Sequence, residues 1–166
     1  MIFATVGTQL PFDRLIHTVD KWSIKQHVSD CFAQIGKKGE APKNLTSVAT
    51  LNPLQFANKV ANCKAIVSHA GMGTILTALQ YGKPIIVMPR LALYGEHRND
   101  HQLATIANLE GHAGIHVAHD EGELVELLDE IHSLKAGAEL SCSAEPELIQ
   151  AISSFIGTGV ERAFHV

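Results

Sequence analysis

The sequence predicts an α/β domain: a parallel sheet with helices on both faces. Three observations carry this. Short apolar runs at Ile2 to Val6, Cys31 to Ile35, Ala65 to Val67 and Ile85 to Val87 alternate with segments of helical periodicity. Polar or glycine-rich loops follow the ends of these runs, most clearly at Ser68 to Thr74 and Pro89 to Gln102. The 166 residues, 46% of them hydrophobic, are enough for one domain with a substantial core. Strand–helix alternation of this kind implies βαβ units with right-handed crossovers.

Element by element, Ile2 to Val6 reads as a buried opening strand rather than a signal peptide, since no basic segment precedes it and Gly7 cuts the apolar run short. Pro11 sits near a helix start, and Phe12, Leu15, Ile16 and Val19 recur at helical spacing to about Trp22. Cys31 to Ile35 is a second strand and Leu45 to Leu51 a weak third. Pro53 opens a helix that should turn Leu54, Phe56, Ala57 and Val60 inward. The strand at Ala65 leads into a helix from Thr74, and the strand after Pro84 into a helix from about Asp100 to Leu109. A last strand at Gly114 to Val117 precedes a helix capped by Asp120 and carrying Leu124, Leu127, Leu128 and Ile131. Residues 1–134 thus form the domain, and small polar residues at 135–145 form a linker. The segment 146–166 forms a terminal helix with Leu148, Ile152 and Phe155 on one face. That face serves either a partner or the domain's own sheet.

Composition narrows the function. A net charge of −4 and 5% aromatic residues argue against nucleic acid as a partner. Cys31, Cys63 and Cys142 are odd in number and show no CxxC spacing, so neither a disulfide framework nor a four-cysteine zinc site is expected. No apolar run is long enough to span a membrane, and a cytoplasmic protein is the expectation.

Two loops carry the chemistry. In Ala70-Gly71-Met72-Gly73 the glycines remove Cβ atoms that would bar a ligand from the backbone, and the amides opening the next helix favour an anion such as a diphosphate. His69 and Thr74 could donate to the same phosphate. The corner equally fits a tight strand–helix turn capped by Thr74. It is not a dinucleotide fingerprint, because Leu76 stands where a third glycine is needed, and nothing matches a P-loop. In the second loop, Asn99, Asp100, His101 and Gln102 offer groups suited to sugar hydroxyls. His97 and His101 have the i, i+4 spacing of helical metal ligands but no third ligand beside them, so no metal is expected. Arg90 either neutralises phosphate, pairs with a uronic acid carboxylate, or is a solvated loop residue.

Taken together, His69-Ala70-Gly71-x-Gly73-Thr74, Gly82-x-Pro84 with Val87-x-Pro89, and Asn99-Asp100-His101-Gln102 resemble the motifs of family 28 glycosyltransferases of the GT-B type. The match lies in their Rossmann-like C-terminal, nucleotide-sugar-binding half. The opening Ile2 to Gly7-Thr8, then Pro11 to Ile16, and Pro89-Arg90 with Gly95-Glu96-His97, are similar to a single-domain subgroup. That subgroup comprises catalytic subunits of bacterial exopolysaccharide and capsule glycosyltransferases, and of the dolichol-linked chitobiose synthase.

The resemblance implies a UDP-sugar donor held by Gly7-Thr8 and by the corner at His69, Ala70, Gly71, Met72, Gly73 and Thr74. Arg90, Asn99, Asp100, His101 and Gln102 would complete the donor site, with Asp100 and Gln102 on the sugar or ribose. Glu96 and His97 are the candidate bases, and no cofactor is implied. Many relatives carry a Glu on ribose where this chain has Thr77. The acceptor half would be a separate membrane-anchored subunit that binds a lipid-linked saccharide. This chain would then be a peripheral partner in a heterodimer at the inner face of the plasma membrane. A nucleotide-sugar-binding regulatory or assembly subunit is the alternative.

Overall fold

Among the described residues, apolar runs that alternate with amphipathic segments fold into six parallel strands and five α-helices. The computed structural model describes residues 1–137. In chain order these are β1 (Ile2–Thr5), α1 (Asp13–Lys25), β2 (Cys31–Gln34), β3 (Thr46–Val48), α2 (Pro53–Asn62), β4 (Ala65–His69), α3 (Met72–Gln80), β5 (Ile85–Met88), α4 (His101–Leu109), β6 (Ile115–Val117) and α5 (Glu121–Asp129). The strands pair in the order β3-β2-β1-β4-β5-β6, every neighbour parallel. The chain winds outward from β1 through β2 to β3, then returns to build β4 to β6 on the other side. Loops leaving β1 and β4 therefore diverge, and a crevice opens between them at the carboxyl edge.

Alternation along the strands divides the core into two layers. Ile2 and Ala4 of the first strand, with Val6 just after it, join Val67, Ile86 and Met88 beneath α1 and α5. Phe3, Ile66, Ile85 and Val87 face the other way, against Val60 of α2, Ile75 and Ala78 of α3 and Ile106 of α4. This placement follows from right-handed crossovers, since the winding direction reverses at β1. Two of the helix starts are set by local sequence. Asn52 and Gln55 form a reciprocal capping box with Pro53 as the first helical residue. The Asp120 carboxylate accepts the Glu123 amide, as its position before the apolar periodicity predicts.

No helix joins β2 to β3. Instead Asp20, buried on α1, accepts the backbone amides of Lys43, Asn44 and Leu45 at 2.9, 2.9 and 3.0 Å. Burial would raise its pKa, but the three amides outweigh that and hold it below the ordinary aspartate value. Across α1 and α5, the Trp22 indole donates to Asp129 at 2.7 Å.

The structure moves several expected boundaries. The first helix runs on to Lys25, the third strand shrinks to three residues, and the helix after the glycine corner starts at Met72 rather than Thr74. Leu54 is 72% exposed: as the second residue of α2 it faces away from the stripe that buries Val60. Cys31 and Cys63 are buried free thiols, each pushed up to about 11 chiefly by burial, and so inert at neutral pH. The linker expected over 135–145 runs past the described residues, and the terminal helix with Leu148, Ile152 and Phe155 lies outside them, as does Cys142.

Candidate functional site

A cleft of about 920 Å³ opens where the order of strands reverses, a volume suited to a small-molecule ligand. Four segments enclose it: the β1 loop (Val6 to Leu10), the corner from His69 to Thr74, Arg90 with His97, His101 and Gln102, and a wall of Leu51, Pro53, Phe56 and Ala57 extended by Gln80 and Tyr81. Among the described residues no Asp, Glu or Lys lines it, although the chain carries 17 acidic residues. The cleft thus offers donors and histidines to an anion and places no carboxylate against it.

The corner presents backbone amides. Gly71 caps α3 in an extended conformation with no side-chain cap. Its own amide bonds the His69 carbonyl at 2.7 Å, and the Thr74 and Ile75 amides return to the Gly71 carbonyl. Met72 and Gly73 have no backbone acceptor among the described residues, so their N–H groups stand open at the positive end of the helix dipole. Thr74 is therefore not the cap that the sequence allowed, and its side chain lines the cleft.

The two glycines do different work. A Cβ on Gly71 would lie 2.3 Å from His69 Nε2, whereas one on Gly73 would meet nothing within 4 Å. Gly7, at φ +75°, also lies against this imidazole, its virtual Cβ 2.8 Å from Cε1. His69 is thus packed against two glycine backbones, with Nδ1 3.3 Å from the Ser68 hydroxyl. Burial first, then the positive charge of Arg90, lower its pKa to about 4. At neutral pH the ring is uncharged, with one donor and one acceptor nitrogen.

The β1 loop is tied down from below. Thr5 Oγ1 donates to Gln34 Oε1 at 3.1 Å and accepts the Gly7 amide at 3.2 Å. Gln34 Nε2 donates to the Gly7 carbonyl at 3.2 Å. The Arg90 guanidinium is buried, with the residue only 2% exposed. It donates to the carbonyls of Val6 at 2.8 Å and Leu10 at 2.7 Å, and to that of Pro11. Burial pushes its pKa down to about 10, which leaves it charged. This excludes the solvated-loop reading of Arg90, and its donors face main-chain carbonyls.

The β5 loop holds itself together with the side chains that the sequence offered as ligands. Glu96 pairs with Arg14 through two bonds, at 2.7 and 2.9 Å, and accepts the Leu91 amide at 2.9 Å. Its carboxylate, the candidate base, is engaged in these bonds and does not line the cleft. Asp100 accepts the Ala92 amide at 2.8 Å, and Asn99 bonds His101 Nδ1. Neither Asp100 nor Asn99 lines the cleft in this conformation. Gln102 does line it, 5% exposed, with Oε1 accepting the Arg90 amide at 3.0 Å. His97 precedes α4 rather than sharing it with His101. The two rings meet edge to face at 4.5 Å in the cleft wall, and no metal-ligating cluster of three or more residues occurs among the described residues.

A model of the glycosyltransferase family 28 C-terminal domain matches residues 1–146. The chain belongs to the glycosyltransferase family 28 C-terminal domain family. It is 29% identical over 121 residues to the UDP-N-acetylglucosamine transferase subunit ALG13 of Homo sapiens, covering 67% of this chain and 10% of that protein. The chain therefore spans about a tenth of the length of this curated relative. An NMR solution structure of ALG13 superposes with a TM-score of 0.56 at 17% identity, covering 90% of this chain and 93% of that one. A glycosyltransferase of kitacinnamycin gives 0.54 at 20% identity, covering 80% and 35%. At these identities the structures speak for the fold, and the fold is that of a family 28 C-terminal domain.

In this member of the family the structure gathers Gly7, Thr8, His69 to Thr74, Arg90, His97, His101 and Gln102 around one cleft, together with Thr77. Thr77 Oγ1 donates to the Gly73 carbonyl at 2.7 Å. Sequence reading missed Gln34, Arg14 and the apolar wall of the cleft. A polar residue closing the Cys31 run and a basic residue among the apolar positions of α1 are the one signal for the first two.

Proposed function

We propose that this chain is the donor-binding catalytic subunit of a UDP-sugar-dependent glycosyltransferase. The observation that carries this reading is the cleft itself: among the described residues, open amides at Met72 and Gly73 beside a neutral His69, at the crevice of the sheet, with no carboxylate in the lining. Those groups suit a diphosphate, and the wall of Leu51, Pro53 and Phe56 suits a nucleobase. His97, His101 and Gln102 would face the sugar, a hexose or a uronic acid.

In the reaction a hydroxyl of the acceptor attacks the anomeric carbon, the bond from that carbon to the diphosphate oxygen breaks, and UDP leaves. The hydroxyl's proton passes to a base, for which His97 is the candidate on this chain. Fixed amides stabilise charge growing on the leaving diphosphate, and no metal is needed in this scheme. Among the described residues no helix is long and apolar enough to cross a membrane. We assign acceptor binding to a second, membrane-anchored subunit, with a lipid-diphosphate-linked saccharide as acceptor in exopolysaccharide or capsule synthesis.

Calorimetry of the chain with UDP, and transfer assays with UDP-glucuronate, UDP-galactose and UDP-N-acetylglucosamine beside the co-expressed partner, test the proposal. UDP binding by the chain and transfer only with the partner are expected, and absence of UDP binding in both settings ends it. The engagement of Glu96 by Arg14 favours one second reading, a nucleotide-sugar-binding regulatory subunit without turnover. In that case His69→Ala and Gln102→Ala would leave polymer synthesis intact.

A further inference from the structure

We propose that Arg90 is a positioning residue of the donor site, one that shapes the Gly7-Thr8 turn by gathering main-chain carbonyls and does not itself touch the nucleotide sugar. This rests on the donor-site reading above. A positive side chain beside a proposed diphosphate site would ordinarily be taken as a phosphate ligand, and the geometry points elsewhere. Nη2 donates to Val6 at 2.8 Å and to Leu10 at 2.7 Å, while Nη1 donates to Pro11. Both hydrogens of Nη2 are thereby committed to carbonyls that bracket the turn on either side.

The rest of the residue is fixed as well. Its backbone amide donates to Gln102 Oε1 at 3.0 Å, and its guanidinium carbon lies 5.0 Å from the centre of the Phe12 ring. A planar fork can satisfy three carbonyls at once, which an ammonium at the end of a flexible stem cannot reproduce. The captured carbonyls close the loop over His69, where Gly7 already lies so near that a Cβ would sit 2.8 Å from the ring. Gln34 takes the Gly7 carbonyl in between, and peptide planarity then turns the Thr8 N–H away from Gln34. Arg90 thus links the sugar end of the cleft, through Gln102, to its phosphate end, through the turn and His69.

The charge of Arg90 also acts at a distance, since it helps to keep His69 neutral. That effect needs proximity and no contact with ligand.

The test compares Arg90→Lys and Arg90→Met in the full chain, by calorimetry with UDP and by two-dimensional NMR of the Gly7 and Thr8 amides and the His69 ring. If Arg90 positions the turn, both variants lose UDP affinity to a similar degree, about 30-fold or more, because neither can bridge the carbonyls. The Gly7, Thr8 and His69 signals should then move even without UDP. If Arg90→Lys binds within about 3-fold of wild type while Arg90→Met does not, charge and not geometry is what matters, and the proposal fails. Should either variant fail to fold, the wild type still decides. On adding UDP, the Thr8 and Gly73 amides should shift while the Arg90 side-chain signals stay put, and a large Arg90 shift overturns the proposal. If the wild type binds no UDP, the donor-site reading is what fails, and the Gly7, Thr8 and His69 signals of Arg90→Lys still judge the carbonyl strap.

Discussion

The loops after β1 and β4 and the loop after β5 meet at the same cleft but are built in opposite ways. Around Gly7 and Gly71 the backbone itself forms the surface: two glycines close on one imidazole, and amides at the head of α3 have no partner among the described residues. Around Glu96 to Gln102 the side chains turn back onto their own loop. Glu96 takes the Leu91 amide and Asp100 the Ala92 amide, while Gln102 takes that of Arg90. The first region exposes main-chain donors to a ligand, and the second uses polar side chains to hold a shape. A motif rich in Asp, Asn and Glu can therefore be the scaffold of a site, while a motif with few polar atoms supplies its contacts.

Breaking the glycine side should give the largest effect. Gly71→Ala drives a methyl to 2.3 Å from His69 Nε2 and must displace the ring or the corner. UDP affinity in calorimetry should fall by about 100-fold or more, near 3 kcal/mol. Gly73→Ala is the control that sharpens the contrast. Its Cβ meets open space in the protein, so melting temperature should hold or rise slightly while UDP affinity falls by about 10-fold, through the ligand's close approach. Equal affinities for both variants would show that the two glycines are not distinct.

A second break uses acid. His69 titrates near pH 6.5 in the unfolded chain and at about 4 in the folded one, chiefly because it is buried. Between those values the unfolded state binds more protons, so stability is complete above about pH 6.5 and falls as pH drops to 4, by about 3 kcal/mol. Urea unfolding at several pH values should show that slope, and His69→Asn should remove most of it. Asp20 separates from this cleanly. Its pKa lies below the ordinary 3.8, so the stability it supplies is lost only as pH falls further, through that lowered value.

The same contrast explains what could be read from the sequence. Periodicity located the six strands and five α-helices of the described residues, because burial on a sheet and along a helix stripe leaves apolar spacing behind, but not the short 3-10 turn at Ala92–Tyr94, none of whose residues is buried. It missed the Asp20 strap, which replaces a crossover helix by three hydrogen bonds from a loop without periodicity. At the site, glycine spacing located the corner but gave a ligand-centred reason for Gly71, where the structure gives His69. Arg90 and Glu96 were legible as charged residues in the right loop. Their partners, Val6 and Leu10 for one and Arg14 for the other, lie about 80 residues away in sequence, and spacing carries no information about such contacts.

Among the side-chain contacts of the β5 loop, the Arg14–Glu96 pair should matter most. Both partners are about nine-tenths buried, so Glu96→Gln leaves the Arg14 charge partly uncompensated. In transfer assays kcat/KM should fall by about 10-fold, with the shape of its pH profile unchanged, because the carboxylate positions the loop and takes no proton. A loss beyond about 1000-fold in kcat, with UDP affinity intact, would instead make Glu96 the base.

Asp100 should give the smallest effect. Among the described residues its carboxylate accepts one bond, from the Ala92 amide to Oδ1, and an asparagine keeps an oxygen there that can accept the same bond. Asp100→Asn should therefore bind UDP and UDP-sugar within about 3-fold of wild type, while Asp100→Ala, which frees the Ala92 amide, should lose more of both. The comparison between UDP and UDP-sugar is what gives the experiment its force. If Asp100 rotates onto the sugar when donor binds, Asp100→Asn will weaken the UDP-sugar alone and leave UDP untouched. A loss confined to the sugar would move one residue of the β5 loop from scaffold to contact, and the division between the two regions would have to be redrawn at that position.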